Sequence, residues 1–377
     1  MGRGFKPPHW FRFAGRCGVL SAAVALAWPR RPVTWTSAAL PALSPYIALG
    51  AVLAARAVTW LTLLALPVLV LVVIYPRWFC RHLCPTGFLQ ELLGKLRSPS
   101  AHWTHWPRLG RWLAVATLGG AAVGYPIFLW LDPLAIFNGF LNAWQRPLAG
   151  LGLPVVLVLT LVLPKLWCQR LCPLGGLQEL LSLHRAAKPV PGRRAFLAAG
   201  AGAVSALVIG RRPVTPPVRP PGALEEAGFT GVCVRCGNCV RVCPAHIIQT
   251  DFGRHGAASW LTPVLRFDED YCREDCRRCN EVCPSGAIVR LSLEQKRRQV
   301  IGPAKVDLEI CRLASGEECT ACIASCPYTA LAIMNNADGF SQRPGVDLEK
   351  CTGCGSCEVA CPVTPRAIRV FPGRAII

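Results

Sequence analysis

Sixteen of the 21 cysteines in this 377-residue chain fall in four groups, each closed by Cys-Pro. The first is Cys233-x-x-Cys236-x-x-Cys239-x-x-x-Cys243-Pro244, and the fourth, Cys351, Cys354, Cys357 and Cys361-Pro362, repeats its spacing. The second, Cys272, Cys276, Cys279 and Cys283-Pro284, opens by one residue; the third, Cys311, Cys319, Cys322 and Cys326-Pro327, has a longer first gap. Three thiolates from one tight loop can cap three irons of a cubane, while the fourth, beyond a turn into a short helix, reaches the partner cluster. Disulfide frameworks show no such rhythm, and zinc sites use paired Cys-x-x-Cys knuckles without a three-plus-one run. The spacing therefore predicts four 4Fe-4S clusters with sixteen cysteine ligands.

Chain order pairs the groups crosswise. Cys283 completes the set of Cys233, Cys236 and Cys239, and Cys243 that of Cys272, Cys276 and Cys279. Likewise Cys361 joins Cys311, Cys319 and Cys322, and Cys326 joins Cys351, Cys354 and Cys357. Pairing outer with outer and inner with inner groups is the alternative. Short strands are expected after the groups (His246–Ile248, Ala287–Val289, Ala330–Ile333, Ala367–Val370) and before three of them (Phe267–Tyr271, Val306–Ile310, Val346–Lys350). Each oxidised cluster with its thiolates carries about −2, which would turn the local charge negative.

Four other cysteines belong to an internal repeat. Shifting the chain by 88 positions lays Trp78–Leu93 on Leu166–Leu181 without a gap, matching Cys80 to Cys168, Cys84 to Cys172, Gln90 to Gln178 and Glu91 to Glu179. The same shift lays Pro45 on Pro133. Two copies of a helical hairpin are expected, each ending in a Cys-x-x-x-Cys-Pro loop and a short amphipathic helix whose glutamate faces water. The four thiols are read either as a shared metal or iron-sulfur site, as thiols in redox transfer, or as braces of a helix end. Asp132-Pro133 reads as a helix start.

The elements positioning these loops read as membrane-embedded. Apolar runs at about 13–28, 58–75, 112–131 and 148–166 approach the roughly 20 residues that a span requires. Residues 1–210 carry 20 basic side chains against Glu91, Asp132 and Glu179, whereas residues 211–377 carry 21 against 18 acids. The basic residues cluster in alternate loops, sixteen against four (Arg30, Arg31, Arg56 and Arg146), which places the amino terminus and both cysteine loops in the cytoplasm. This is topology writing, unlike a basic patch with interleaved aromatics, so nucleic-acid binding is excluded.

Arg193-Arg194-Ala195-Phe196-Leu197 and the apolar run to Gly210 read as a twin-arginine-like signal kept as an anchor helix, the alternative being an ordinary fifth helix. The expected division is a transmembrane domain over 1–190, the signal or anchor helix over 191–210, a Pro-rich linker over 211–228, and a polyferredoxin domain over 229–377. The fold class is an α-helical membrane domain, four spans in a two-fold repeat plus a fifth helix, followed by an α+β ferredoxin-like domain of two bicluster modules.

At the Cys80–Pro85 and Cys168–Pro173 loops the chain resembles NapH-type membrane proteins, and at the twin-arginine segment and the four cysteine groups it resembles NapG/MauM-type polyferredoxins. The resemblance implies an electron carrier of anaerobic respiration, a quinol dehydrogenase component in the bacterial inner membrane. It would draw on the quinone pool, with its ferredoxin domain on the periplasmic side and a periplasmic reductase, classically nitrate reductase, or cytochrome c as acceptor. A maturation or redox-maintenance factor for another metalloenzyme is the rival reading, and a structural tether the third. No Cys-x-x-Cys-His and no Gly-rich dinucleotide fingerprint occurs, and no residue is assigned a catalytic role.

Overall fold

The computed structural model describes residues 9–28, 35–96, 106–143, 147–182, 192–210, 216–335 and 341–373. The topology-bearing residues Arg3, Lys6, Arg30, Arg31, Arg97, Arg146, Arg185 and Lys188, with 211–215 of the proline-rich segment, lie outside them. Two compact units emerge, divided more finely than a single break in the proline-rich segment. The first holds Met1–Arg212 with Thr230–Asn238 and Pro284–Ala287; the second holds Pro213–Phe229, Cys239–Cys283 and Ile288–Ile377.

The first unit is helical: α1 His9–Leu26, α2 Trp35–Ala42, α3 Pro45–Ala55, α4 Trp60–Leu63, α5 Leu66–Ile74, α6 Trp78–His82, α7 Pro85–Gly94, α8 Leu109–Ala122, α9 Pro133–Asn142, α10 Gly152–Val162, a π-turn at Trp167–Leu171, α11 Pro173–Leu181 and α12 Gly192–Gly210. The 88-residue repeat is visible in three dimensions. It relates α3 to α9, α5 to α10, α6 to the π-turn and α7 to α11. Even the residues entering the cysteine loops match, since Arg77 (φ 56°) and Lys165 (φ 68°) both adopt the left-handed conformation. Ser44 caps α3 and Asp132 caps α9 at equivalent positions. The Ser44 hydroxyl donates to Asp132 at 2.5 Å, tying the copies together at a fully buried point.

The four expected spans do not form as written. Among the described residues one helix, α12, is long and apolar enough to cross a bilayer; α2 and α3 would count as another only if their 90° bend is one broken span. The 58–75 run is divided between α4 and α5 because Leu64 and Ala65 turn before Pro67. The 112–131 run stops at Ala122, where Gly124 (φ 91°) and then Pro126 end the helix. The 148–166 run yields only the eleven residues of α10. Hydropathy sees apolar length and is blind to these local stops.

Helix α12 coincides with the segment assigned from the twin arginines and packs against α8 through small residues. A Cβ at Gly202 would lie 2.0 Å from the Ala116 carbonyl oxygen, and one at Gly119 2.2 Å from that of Ala199. The backbones therefore touch, as in helix pairs that associate within lipid. Gly202→Val is expected to cost about 3 kcal/mol through overpacking, and limited proteolysis should then cleave α12 at a protease dose that spares the parent.

Among the described residues the second unit contains three antiparallel pairs of short strands: β1 Ile248–Thr250 with β2 Pro263–Leu265, β3 Ala304–Val306 with β6 Ile368–Val370, and β4 Leu331–Asn335 with β5 Gln342–Val346. An isolated bridge joins Ala223 to Ile288. Each half thus has an outer pair enclosing an inner hairpin, Ala223–Ile288 around β1–β2 and β3–β6 around β4–β5. This topology turns the two cysteine groups of a module head to tail. The exit strands form largely as expected, except that Ala287–Val289 is reduced to the bridge. The entry strands lie earlier than expected, because Asp307 and Asp347 accept from the Glu309 and Glu349 amides in turns that end β3 and β5. Phe267–Tyr271 is not a strand; β2 precedes it.

Candidate functional site

The crosswise grouping of cysteines can be compared with two hollows in the second unit. One, of about 380 Å³, is lined by Cys243, Cys272, Cys276 and Cys279; the other, of about 360 Å³, by Cys311, Cys319, Cys322 and Cys361. In each, the last cysteine of one motif joins the first three of its neighbour. The Cys357 thiol is raised by burial and then by the sulfurs of Cys354, Cys351, Cys322 and Cys326, which come from both the third and the fourth motif. Pairing outer with outer and inner with inner groups finds no counterpart in these sets. Backbone amides point at the crossing sulfurs, with Ile288 N–H donating to Cys283 at 3.4 Å and Ala330 N–H to Cys326 at 3.3 Å. Such donors favour thiolate over thiol.

Cys233 and Cys236 fall in the first unit, where Asn138, fully buried on α9, and Asn142 donate to the Cys236 carbonyl at 3.0 and 2.8 Å. Cys239 and Cys283 fall in the second.

The cavities fit cubane clusters by the chemistry of their donors: four sulfurs per set, apolar walls and no competing carboxylate in the lining. Burial, followed by the mutual repulsion of neighbouring sulfurs, drives the Cys279 thiol well above its usual range, and burial, only partly opposed by Lys296, raises Cys272 to about 11. Four such thiols do not ionise together without positive charge between them; iron supplies it and displaces the protons. Among the described residues no three His, Cys, Asp or Glu side chains are gathered closely enough for a single metal ion. Thiolates around a cubane stand wider apart than those around one ion.

In the first unit, each Cys-x-x-x-Cys-Pro loop is a helix start. Cys84 and Cys172 are the N-caps of α7 and α11, their sulfurs accepting from Gly87 N–H at 3.3 Å and Gly175 N–H at 3.4 Å. The following proline occupies the first helical turn, where its missing N–H costs nothing. The glycines leave room for the carbonyls of Cys80 and Cys168, each 3.4 Å from where a Cβ would stand. Helix N-termini favour a thiolate there.

The two loops meet. Gln178 donates to the Cys80 sulfur at 3.1 Å, and the Cys168 thiol donates to Gln90 Oε1 at 2.8 Å, each glutamine serving the other copy's cysteine. Both amides are buried, and the second polar atom of each, Gln90 Nε2 and Gln178 Oε1, lacks a partner. Burial, then the sulfur of Cys80, pushes Cys168 up to about 12, and Cys84 and Cys172 are raised in the same way by burial and by their companions. The sequence repeat contains these glutamines, but nothing in it indicates that they cross.

Of the repeated glutamates, Glu91 faces water as the sequence leads one to expect, and Glu179 does not. Glu91 is about half exposed and pairs with Arg16, whereas the Glu179 side chain is only 10% exposed and collects Arg77 at 2.7 Å, Arg111 at 2.5 Å and Arg108 at 3.4 Å. Arg16 on α1 and Arg111 on α8 therefore play equivalent parts at a spacing of 95, which the 88-residue alignment does not detect. Burial opposes the charge of Glu179, but Arg77 and then Arg111 more than offset it, and its carboxyl is held below its usual range. Asp132 caps a helix, as Asp-Pro suggests.

Comparison with known proteins agrees with this geometry. A 4Fe-4S binding domain family matches residues 56–103 and 145–191, one match per repeat copy, and a 4Fe-4S dicluster domain family matches residues 232–287 and 317–364. The methylamine utilization ferredoxin-type protein MauM of Methylobacillus flagellatus is 37% identical over 171 residues, 42% of this chain and 70% of that protein. The ferredoxin-type protein NapG of Escherichia coli is 36% identical over 210 residues, 50% of this chain and 90% of NapG. The ferredoxin-type protein NapF of the same organism is 28% identical over 148 residues, 39% of this chain and 81% of NapF. No solved structure matches. Cysteine rhythm, crossed hollows and kinship agree that this is an iron-sulfur electron-transfer protein, a member of the NapG/MauM family of ferredoxin-type proteins.

Proposed function

We propose that the chain takes electrons from quinol at the membrane and passes them through one cluster in its helical half and four in its carboxyl-terminal half to an acceptor outside the cytoplasm. The observation that carries this reading is the meeting of the two repeat copies at Cys80, Cys84, Cys168 and Cys172, braced by the crossed glutamines. Two loops that each offer two sulfurs make one four-sulfur site only when both copies are present, which gives the duplication a chemical reason. Helix α12 anchors the chain in the bacterial inner membrane, and its twin arginines suit export of a domain already loaded with clusters. On this reading the helical half is NapH-like, the ferredoxin half is periplasmic, and a periplasmic reductase or cytochrome c receives the electrons.

The test uses the full chain, purified anaerobically in detergent and mixed with a reduced quinone analogue. Bleaching of the visible cluster absorption and the appearance of reduced-cluster paramagnetic resonance signals are expected. Iron analysis should give about twenty irons per chain, where about sixteen would mean that the helical half is empty. Clusters that stay oxidised under quinol, while a metalloenzyme fails to mature in cells lacking the protein, would favour a maturation factor instead.

A further inference from the structure

Lys296 is a lysine in an unusual place. It lies in a six-residue helix, Leu293–Arg298, between the two ferredoxin modules, started by a Ser292/Gln295 capping box. Glu294 and Arg298 pair with each other on the exposed side, but Lys296 is only 3% exposed. Its ammonium donates to the Arg273 carbonyl, and among the described residues no carboxylate is within ion-pair reach of it. A buried cation that lacks an anion costs several kcal/mol unless something nearby carries negative charge. Within the described residues that negative charge is not a carboxylate.

The surroundings identify the source. Arg273 directly follows Cys272, and Cys272 N–H donates to the Cys354 carbonyl at 2.8 Å, so a loop of one module is hydrogen-bonded to a loop of the other. A cubane with four thiolates carries about −2 when oxidised and one more negative charge when reduced. Clusters held by the cysteine sets that include Cys272 and Cys354 would supply the missing anion and gain from the cation most when reduced.

We propose that electrons cross between the modules at this junction, from the cluster of Cys243, Cys272, Cys276 and Cys279 to that of Cys326, Cys351, Cys354 and Cys357, and that Lys296 is the positioning cation shared by both. With clusters held by both cysteine sets, the crossing would move one electron, lost by one core and gained by the other, and would make or break no bond. The electron comes ultimately from the quinol of the proposed function, on which this inference rests for its donor.

The experiment is a mediated redox titration of the full chain, followed by paramagnetic resonance, which needs no quinol. In Lys296→Met the two junction clusters should each become about tenfold harder to reduce, about 59 mV for one electron, while the others stay put. Lys296→Arg should restore both. In the parent protein, the signals of the two junction clusters should show mutual magnetic broadening once both are reduced. If Lys296→Met does not assemble, the broadening and the arginine variant decide. Unchanged junction potentials, an equal shift of all clusters, or absence of the broadening would overturn the proposal. A missing fifth cluster or failure of quinol reduction counts against the proposed function alone.

Discussion

Replacing Cys361 by serine should remove the cluster capped by Cys311, Cys319 and Cys322 and leave the cluster of its own motif, that of Cys351, Cys354 and Cys357, in place. The reason is topological. Pairing of β3 with β6 around β4–β5 carries Cys361 back across the module to the hollow lined by the third motif. A cubane deprived of one of four thiolates in an apolar cavity has no second sulfur to recruit there. Iron content should fall by about four per chain, and one component should vanish from the reduced resonance spectrum. Cys326→Ser should remove the complementary component. Loss of the cluster belonging to the mutated motif itself would show that the pairing is not crossed.

Glu179→Gln is expected to be the most destabilising charge change in the helical half. The carboxylate balances Arg77, Arg108 and Arg111 in a nearly buried site, so its removal leaves three guanidinium groups facing one another. Breaking a buried ionic cluster from one side costs about 3 kcal/mol or more. Glu91→Gln, at the equivalent but half-exposed position, should cost about 0.5 kcal/mol. The sign of the pH dependence follows from the direction of the shift. The folded-state pKa of Glu179 lies below the ordinary carboxylate value, so its stabilisation is complete above that ordinary value and is lost as pH falls through the depressed one. Thermal unfolding in detergent should therefore separate parent and variant widely at neutral pH, and the gap should close in acid. A gap that persisted unchanged at low pH would mean the charge is not responsible.

Much of the candidate site was legible before any coordinates. The four cysteine groups announce cubane ligation because three sulfurs at tight spacing plus one beyond a proline is a demand of cluster geometry, and two hollows of the structure are each lined by one crossed set of four. The 88-residue repeat was legible for a similar reason: a capped helix start needs its Cys, Pro and Gly in fixed order, so both copies kept them. Helix α12 was legible from arginines followed by small apolar residues. The 58–75 and 112–131 runs are broken at Leu64–Ala65 and near Gly124, which apolar length alone does not reveal.

What the linear chain determined by itself is local: which residues can hold iron, which segments start helices, and that one half is a duplicated unit. These follow from spacing and backbone preference, which act over a few residues. Only the tertiary structure decided which sulfurs share a hollow, that Gln90 and Gln178 exchange partners between copies, that Glu179 sits among arginines, and that Lys296 is buried at a module junction. Such pairings join residues far apart in the chain. Their energy comes from burial and charge compensation, which exist only once the elements have packed.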